Sequence, residues 1–493
     1  MKSYDLVVKG GNVVFPFLGV RQADIGIVGE KIATIAEALS SDSAENIIEA
    51  KGRFIFPGAI DSHFHVGIYR PFQDDAVSES TSAISGGVTT TLAYFRTGSH
   101  YLNKTGPYRE IFPEVLRLSK DSFLTDYGFS LAMLTEEHLH EIEWLIKNGG
   151  VSTFKYYTIF RSLNLAGDSP DASNYLMTEN PVDLGFLYEY MGEVSRINDL
   201  LKRFGKIRLS VHCEDPEIIR VSTEETKERG SGNSLKDYSD ARPGWAEALA
   251  IREIGVLAHR TRCPVNLVHL SSRDAIDAAR DITRSHPGID ILREVTLHHL
   301  GLSYEQNYGL LGKINPPIRG QEDVEYLWNS VIEGTIDTVV SDTSSITRAM
   351  KEGGLWSCQP GFSSVALMFP VLITEGYHKR GLTLHRIAEL TSFNPARHYN
   401  LYPKKGTITV GSDADLVVID IDEERDVNAG MLRSGQDFTP YEGLRFKGWP
   451  QYTILRGKVV FEKGKFLEKP GYGRYIKRPV GLHCQENDIA HGA

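Results

Sequence analysis

The sequence predicts an α/β fold: a (β/α)8 barrel of parallel strands with a small β-sandwich domain formed from both chain ends. Three observations lead there. From about residue 55 to about residue 400, apolar runs of strand length alternate with amphipathic helical stretches such as 137–147 and 245–258. Short strands of alternating polarity fill the first fifty residues and recur after residue 400. Side chains able to bind metal close several of the strand-like runs in between, at the end where such a barrel carries its chemistry. An open doubly wound sheet is the rival architecture, but no Gly-x-Gly-x-x-Gly follows an early strand.

In chain order, residues 1–54 supply the first part of the sandwich. Asp5-Leu-Val-Val, Ala23-Asp-Ile-Gly-Ile-Val and Lys31-Ile-Ala-Thr-Ile read as strands between Gly-Gly and Gly-Glu-Lys turns. The barrel is expected over 55–400. Residues 401–470 return to the sandwich through Ala414-Asp-Leu-Val-Val-Ile-Asp and Tyr452-Thr-Ile-Leu-Arg-Gly-Lys-Val-Val-Phe. The tail, 471–493, is polar and aromatic without periodicity, and is expected to dock on a neighbouring subunit or to fray.

Composition narrows the function classes. A chain of 493 residues can bury a substantial core. A net charge of −10 with no Lys/Arg block argues against nucleic acid and against an anionic membrane surface, and leaves a small molecule as the expected partner. No run approaches the ~18 apolar residues of a membrane span, and the first thirty residues lack a signal-peptide pattern. Cys213, Cys263, Cys358 and Cys484 are scattered without a Cys-x-x-Cys, which suggests a reduced compartment and a cytoplasmic protein.

The chemistry begins at Phe54-Ile-Phe-Pro-Gly-Ala-Ile-Asp-Ser-His63-Phe-His65, an apolar run ending in two histidines one residue apart. On a strand, positions i and i+2 share a face, so both imidazoles can point at one cation. Val151-Ser-Thr-Phe-Lys155-Tyr-Tyr-Thr-Ile-Phe160 then places a lone lysine among aromatics. A buried ammonium is costly, whereas the neutral amine can take up carbon dioxide and become an anionic carbamate that bridges two metals. Arg208-Leu-Ser-Val-His212 and Val265-Asn-Leu-Val-His269 each end an apolar strand in histidine, and Thr338-Val-Val-Ser-Asp342 closes the series with an aspartate. Each alone has an ordinary structural explanation, such as a snorkelling lysine or a satisfied core histidine. Their succession over five strand ends points to a metal centre.

With these residues in place, the chain resembles the amidohydrolase superfamily, and within it the cyclic amidases: dihydropyrimidinase, hydantoinase, allantoinase and dihydroorotase. The resemblance covers nearly the whole chain. Pro57-Gly-Ala-Ile-Asp-Ser-His-Phe-His resembles the family's PGxxDxHxH, Gly86-Gly-Val-Thr-Thr-Thr its second strand, and Ser152-Thr-Phe-Lys155 its carbamylated-lysine strand. His212-Cys-Glu, Val268-His269-Leu-Ser-Ser, Asn315-Pro-Pro-Ile-Arg and Lys405-Gly-Thr-Ile-Thr-Val-Gly-Ser-Asp-Ala-Asp-Leu-Val-Val continue the match. Asp74-Asp75 and Thr439-Pro-Tyr-Glu-Gly favour the dihydropyrimidinase and hydantoinase branch.

The resemblance implies a TIM-like barrel with two divalent metal ions per subunit, usually Zn2+. His63, His65 and Asp342 would hold the buried ion, His212 and His269 the exposed one, and Lys155 as N6-carboxylysine would bridge them. A hydroxide between the metals would attack, one metal would polarise the ring carbonyl, and Asp342 would pass the hydroxide's proton to the leaving nitrogen. Thr296 and Asn315 are expected to contact substrate, and a homotetramer or homodimer is implied.

Three departures bear on the substrate. The family's oxyanion tyrosine, five residues after the bridging lysine, is here Phe160, a substrate contact that cannot donate; Tyr157, on the same strand face as Lys155, either replaces that contact, worth ~3 kcal/mol elsewhere, or only packs in the barrel interior. Gly67 stands where dihydroorotase has an arginine, which argues against that activity. The second strand ends in Ala93-Tyr94-Phe95-Arg96, so that Arg96 reaches the pocket rim, either to bind a carboxylate or carbonyl or to tie two loops together. Asp342-Thr-Ser-Ser also replaces the usual Asp-His-Ala-Pro. Phe64, Tyr69, Phe72, Tyr94, Phe95 and Tyr156 are open to two roles, lining a pocket for a hydrophobic ring or packing in the core. Two further readings keep most of this frame: an allantoinase or lactam hydrolase with the same centre, and a non-catalytic scaffold of the dihydropyrimidinase-related kind.

Overall fold

The computed structural model describes residues 2–98, 100–160, 182–201, 205–230 and 232–478, with the Phe160 side chain outside what is described. Five strands precede the barrel: β1 Tyr4–Phe15, β2 Gly19–Val28, β3 Lys31–Ala36, β4 Ala44–Glu49 and β5 Phe54–Pro57. The barrel strands are β6 Ala59–His65, β7 Val88–Phe95, β8 Asp126–Ala132, β9 Thr153–Tyr157, β10 Arg208–His212, β11 Val265–Leu267, β12 Ile291–Thr296 and β13 Thr338–Val340. Four strands follow it: β14 Leu416–Asp426, β15 Arg445–Leu455, β16 Lys458–Glu462 and β17 Lys465–Phe466.

β6 to β13 pair in sequence order in one parallel eight-stranded sheet. The ring closes where the His65 N–H donates to Thr343 O at 2.9 Å and the Ser341 N–H donates to Asp61 Oδ1 at 3.1 Å. Every residue of β6 and β7 is buried, as expected of strands covered on both faces, so these segments carry no strict polar alternation. Helices fill the connections, and their caps fix where the strands stop. Asp215 accepts from the Ile218 N–H at 2.9 Å to start the helix Pro216–Glu228, and Ser272 accepts from the Ala275 N–H at 3.2 Å to start Arg273–Ser285. His212 and His269 are thus held at the C-terminal ends of β10 and β11, just ahead of a capped helix.

The chain ends combine in a nine-stranded mixed sheet ordered β17-β16-β15-β14-β5-β1-β2-β3, with β4 also on β1. β1 forks: its first half pairs with β4, and Asn12 and Val13 pair with β5. A separate apolar core, including Leu6, Val8, Ile25, Ile48, Val418 and Ile454, joins early and late strands. β5 pairs antiparallel with β14 from Phe54↔Ile419 to Pro57↔Leu416, so the sheet unit reaches Pro57 rather than stopping at 54.

The tail, as far as it is described, docks on its own barrel. The Ile476 N–H donates to Tyr127 O at 2.8 Å, and Ile476 packs with Ile60, Leu92, Tyr399 and Leu401. Arg478 is fully buried, donating to Thr153 Oγ1 at 2.7 Å and to Phe129 O. Residues 479–493 lie outside the described residues. No helix among the described residues is long and apolar enough to cross a membrane.

Candidate metal centre and active site

At the C-terminal mouth of the barrel lies a cavity of about 300 Å³ lined by His63, His65, Lys155, His212, His269 and Asp342. All the expected metal ligands therefore meet in one place. Donor atoms of His63, His65 and Asp342 lie within 4.8 Å of one another. Both histidines of β6 turn Nε2 toward Asp342 Oδ1, at 3.1 Å from His63 and 3.2 Å from His65. His269 stands between the two halves of the site, its ring centroid 5.3 Å from that of His63 and 4.5 Å from that of His212.

The outer nitrogens of two histidines are tied down. His63 Nδ1 lies 2.7 Å from Glu294 Oε1, a carboxylate that projects from β12. Burial pushes the His63 imidazole well below its usual range. A neutral ring with its proton on Nδ1 donates to Glu294 and leaves the Nε2 lone pair facing the cavity. His212 Nε2 lies 2.8 Å from Glu214 Oε2. Burial alone would raise the Glu214 carboxyl, but the Arg242 guanidinium and the His212 ring outweigh it and hold it near 2. Burial likewise opposes ionisation of Asp342, yet the surrounding imidazoles favour its anion.

Lys155 carries the sharpest anomaly. It is completely buried, and Nζ has no hydrogen-bond partner among the described residues; it lies 4.4 Å from the Tyr94 ring centroid and 5.0 Å from that of Tyr157. Burial lowers its pKa to about 8, so the neutral amine is accessible. His269 Nδ1 is also buried without a partner among the described residues, and burial holds that ring well below its usual range. An orphaned amine and an orphaned imidazole nitrogen beside a His-His-Asp cluster fit cation binding, since nitrogen and carboxylate donors of this kind suit divalent metals. A second acidic cluster, Asp126, Asp413 and Asp415, has a different explanation: Lys405 Nζ lies within 2.5–3.2 Å of all three and already neutralises them.

Other expected residues divide. Tyr157, Arg96 and Asn315 line the cavity. Arg96 Nη1 donates to Thr97 O at 3.2 Å and its guanidinium lies 5.5 Å from the Tyr101 ring centroid, while Asn315 Oδ1 accepts from the Tyr238 hydroxyl at 2.5 Å. Thr296 does not line the cavity; its hydroxyl caps the short helix Leu297–Gly301, accepting from the His299 N–H at 3.2 Å. The strand expected over 151–160 ends at Tyr157, because the Thr158 hydroxyl reaches His212 O at 2.6 Å and Glu214 O at 2.7 Å and turns the chain into a 3-10 turn, Thr158–Phe160. Of the six aromatics, Tyr69 lines the cavity, and its hydroxyl donates to Pro360 O across the mouth at 2.7 Å. Phe64, Phe72, Phe95 and Tyr156 belong to the core, and Tyr94 packs edge-on against His63. Gly67 has φ of 83°, and a Cβ there would sit 3.1 Å from Phe72, so any side chain at this position would be strained.

Sequence reasoning missed Glu294, Asp61 and Tyr101. Asp61, two residues before His63, is buried, and burial raises its pKa to about 7; it accepts from the Ser341 N–H and closes the barrel. Its i−2 spacing from His63 was an available signal. Glu294 lies on a strand whose sequence carries no special pattern, and Tyr101 lies on a loop with positive φ.

Comparison with known proteins agrees with this fold. Residues 206–460 match the family model described as Amidohydrolase family. The allantoinase of Desulfitobacterium hafniense is 30% identical over 97% of this chain and 99% of its own. The D-hydantoinase of Geobacillus stearothermophilus is 28% identical over 98% of each chain. The L-hydantoinase (dihydropyrimidinase) from Arthrobacter aurescens shares the fold with a TM-score of 0.83 at 26% identity, over 97% of this chain and all of that one. Relatives aligned almost end to end, on a barrel that gathers these histidines, lysine and aspartate at one mouth, lead to one conclusion: the chain belongs to the amidohydrolase family.

Proposed function

We propose that the protein is a metal-dependent hydrolase that opens the C–N bond of a cyclic amide or imide, a ring of the dihydropyrimidine or hydantoin kind. The observation that carries this reading is Lys155 Nζ, buried without a hydrogen-bond partner among the described residues, in a cavity that also gathers the imidazoles of His63, His65, His212 and His269 and the carboxylate of Asp342. In this reading His63, His65 and Asp342 would hold one cation and His212 and His269 another, with Lys155, as N6-carboxylysine, as a ligand for both. Zinc is the proposed metal. Two such ions would supply a polarised carbonyl and a hydroxide available near neutral pH.

The chain's own groups do the rest. Asp342 accepts the nucleophile's proton and hands it to the leaving nitrogen, as its position against His63 and His65 allows. Tyr157 donates to the oxygen on which negative charge develops. Arg96 and Asn315 orient the ring, with Phe160 as an apolar contact. Phe160 and the Asp342-Thr-Ser-Ser segment differ from what the hydantoinase branch leads one to expect, so allantoin and lactams belong among the test substrates. Residence in the cytoplasm and assembly as a homodimer or homotetramer go with this reading; the buried free thiols of Cys213, Cys263 and Cys358 suit a reducing compartment.

Metal analysis and a hydrolysis screen over dihydrouracils, hydantoins, allantoin, cyclic imides and lactams test the proposal. About two divalent ions per chain and ring opening of at least one class are expected. A protein that takes up no metal under reconstitution would be a scaffold instead.

A further inference from the structure

Tyr101 lies on the loop after β7, with φ of 55°, a conformation that a bulky residue rarely adopts. It is 8% exposed, its N–H donates to Gly67 O, and its ring packs edge-on against Phe95 with centroids 5.2 Å apart. The hydroxyl held in this way faces two groups. His65 Nδ1 is 3.4 Å away, and the phenol of Tyr157 is hydrogen-bonded to it. All three side chains line the cavity.

The tautomer of His65 gives this contact a direction. Its Nε2 lies 3.2 Å from Asp342 Oδ1 and is the nitrogen that would bind a cation, so a neutral ring in the metal-loaded protein would keep its proton on Nδ1. That proton needs an acceptor, as His63 has in Glu294. The Tyr101 oxygen is placed to accept it. Tyr101 can then direct its own O–H to the Tyr157 oxygen, which leaves the Tyr157 O–H for the cavity.

We propose that Tyr101 is a positioning residue that fixes the ring of His65 through Nδ1 and aims the Tyr157 hydroxyl at the substrate carbonyl, so that a two-phenol relay stands in for the donor lost at Phe160. This inference rests on the hydrolase reading and deepens it.

The experiment compares wild type, Tyr101→Phe, Tyr157→Phe and the double variant, each reconstituted from metal-free protein with Co2+ alone and then assayed on whichever ring the wild type opens. Co2+ affinity is read from its d–d absorption and by chelator competition, without substrate. Tyr101→Phe is expected to weaken the metal by about tenfold or more. Tyr157→Phe is expected to lower kcat about 10²-fold with KM little changed. At Co2+ concentrations that saturate every variant, Tyr101→Phe is expected to lower kcat as well and to add nothing in the Tyr157→Phe background. Tyr101→Gln, which can both accept and donate, is expected to recover much of the metal affinity and serves if the Phe variant folds poorly. Wild type that binds no metal would overturn the hydrolase reading and this inference together. Metal-loaded, active wild type with unchanged Co2+ affinity in Tyr101→Phe, or with independent multiplicative effects of the two variants, would overturn the inference alone.

Discussion

His269 and Asp342 have φ of 42° and 50°, a left-handed backbone that costs a non-glycine residue about 1–3 kcal/mol. Both stand at the cavity, and both are places where the strand must end abruptly for a side chain to turn inward. The surrounding hydrogen bonds hold them there: the His269 N–H reaches Glu294 Oε1 at 3.3 Å, and the segment around Asp342 is tied through Ser341 and Thr343 to β6. Glu294 thus serves two of the expected ligands at once. Glu294→Gln is expected to weaken divalent-metal affinity about 10- to 100-fold, read by chelator competition, because the amide cannot match the carboxylate as an acceptor for His63. At this scale the sequence was informative where chemistry repeats along a strand, as at His63 and His65. It was silent where a partner arrives from a distant strand, as with Glu294, or where a rare backbone conformation aims a side chain, as with Tyr101.

Among the elements, the alternation of apolar runs and amphipathic helices located the barrel, and the helix 244–261 covers the stretch expected from 245 to 258. Strand ends were less legible. β9 is shorter than its apolar run because one threonine hydroxyl reaches the carbonyls of His212, at the end of β10, and of Glu214 just beyond it, a contact without a local sequence signature. Between barrel strands, Arg208 of β10 lies 2.8 Å from Asp290, which leads into β12. Burial would raise the Asp290 carboxyl, but Arg208 and then Lys206 overcome this and depress it from 3.8 to about 2. A carboxyl depressed on folding contributes stability that is complete above its unfolded pKa and lost as pH falls through the folded one. The stability difference between wild type and Asp290→Asn is therefore expected to be constant from neutral pH down to about 5 and to shrink between about 4 and 2, measured by urea unfolding across that range.

For the whole molecule, the joint between barrel and sheet rests on a buried charge network. Lys405 meets Asp126 of β8 together with Asp413 and Asp415, and Arg456 also pairs with Asp126. Removing one member of such a network leaves uncompensated charge in a dry site. Lys405→Met is expected to cost about 3–5 kcal/mol by chemical denaturation while leaving the proposed metal ligands intact. The two-domain outline was legible because both ends of the chain carry the same short alternating strands. The pairing of β5 with β14, some 360 positions later by their residue numbers, was not, and the boundary at residue 54 moved to Pro57 for that reason.

The position of Arg478 has a consequence for the order of assembly. During synthesis the eight barrel strands leave the ribosome well before the segment that plugs the floor beneath them, and β1 and β5 wait for most of translation before their late partners exist. Thr153 and the Phe129 carbonyl therefore lack the arginine until residue 478 has emerged. Such distant pairings delay the final, cooperative closure of the molecule. A truncation just before residue 474 would strand a barrel that has all its strands and no floor.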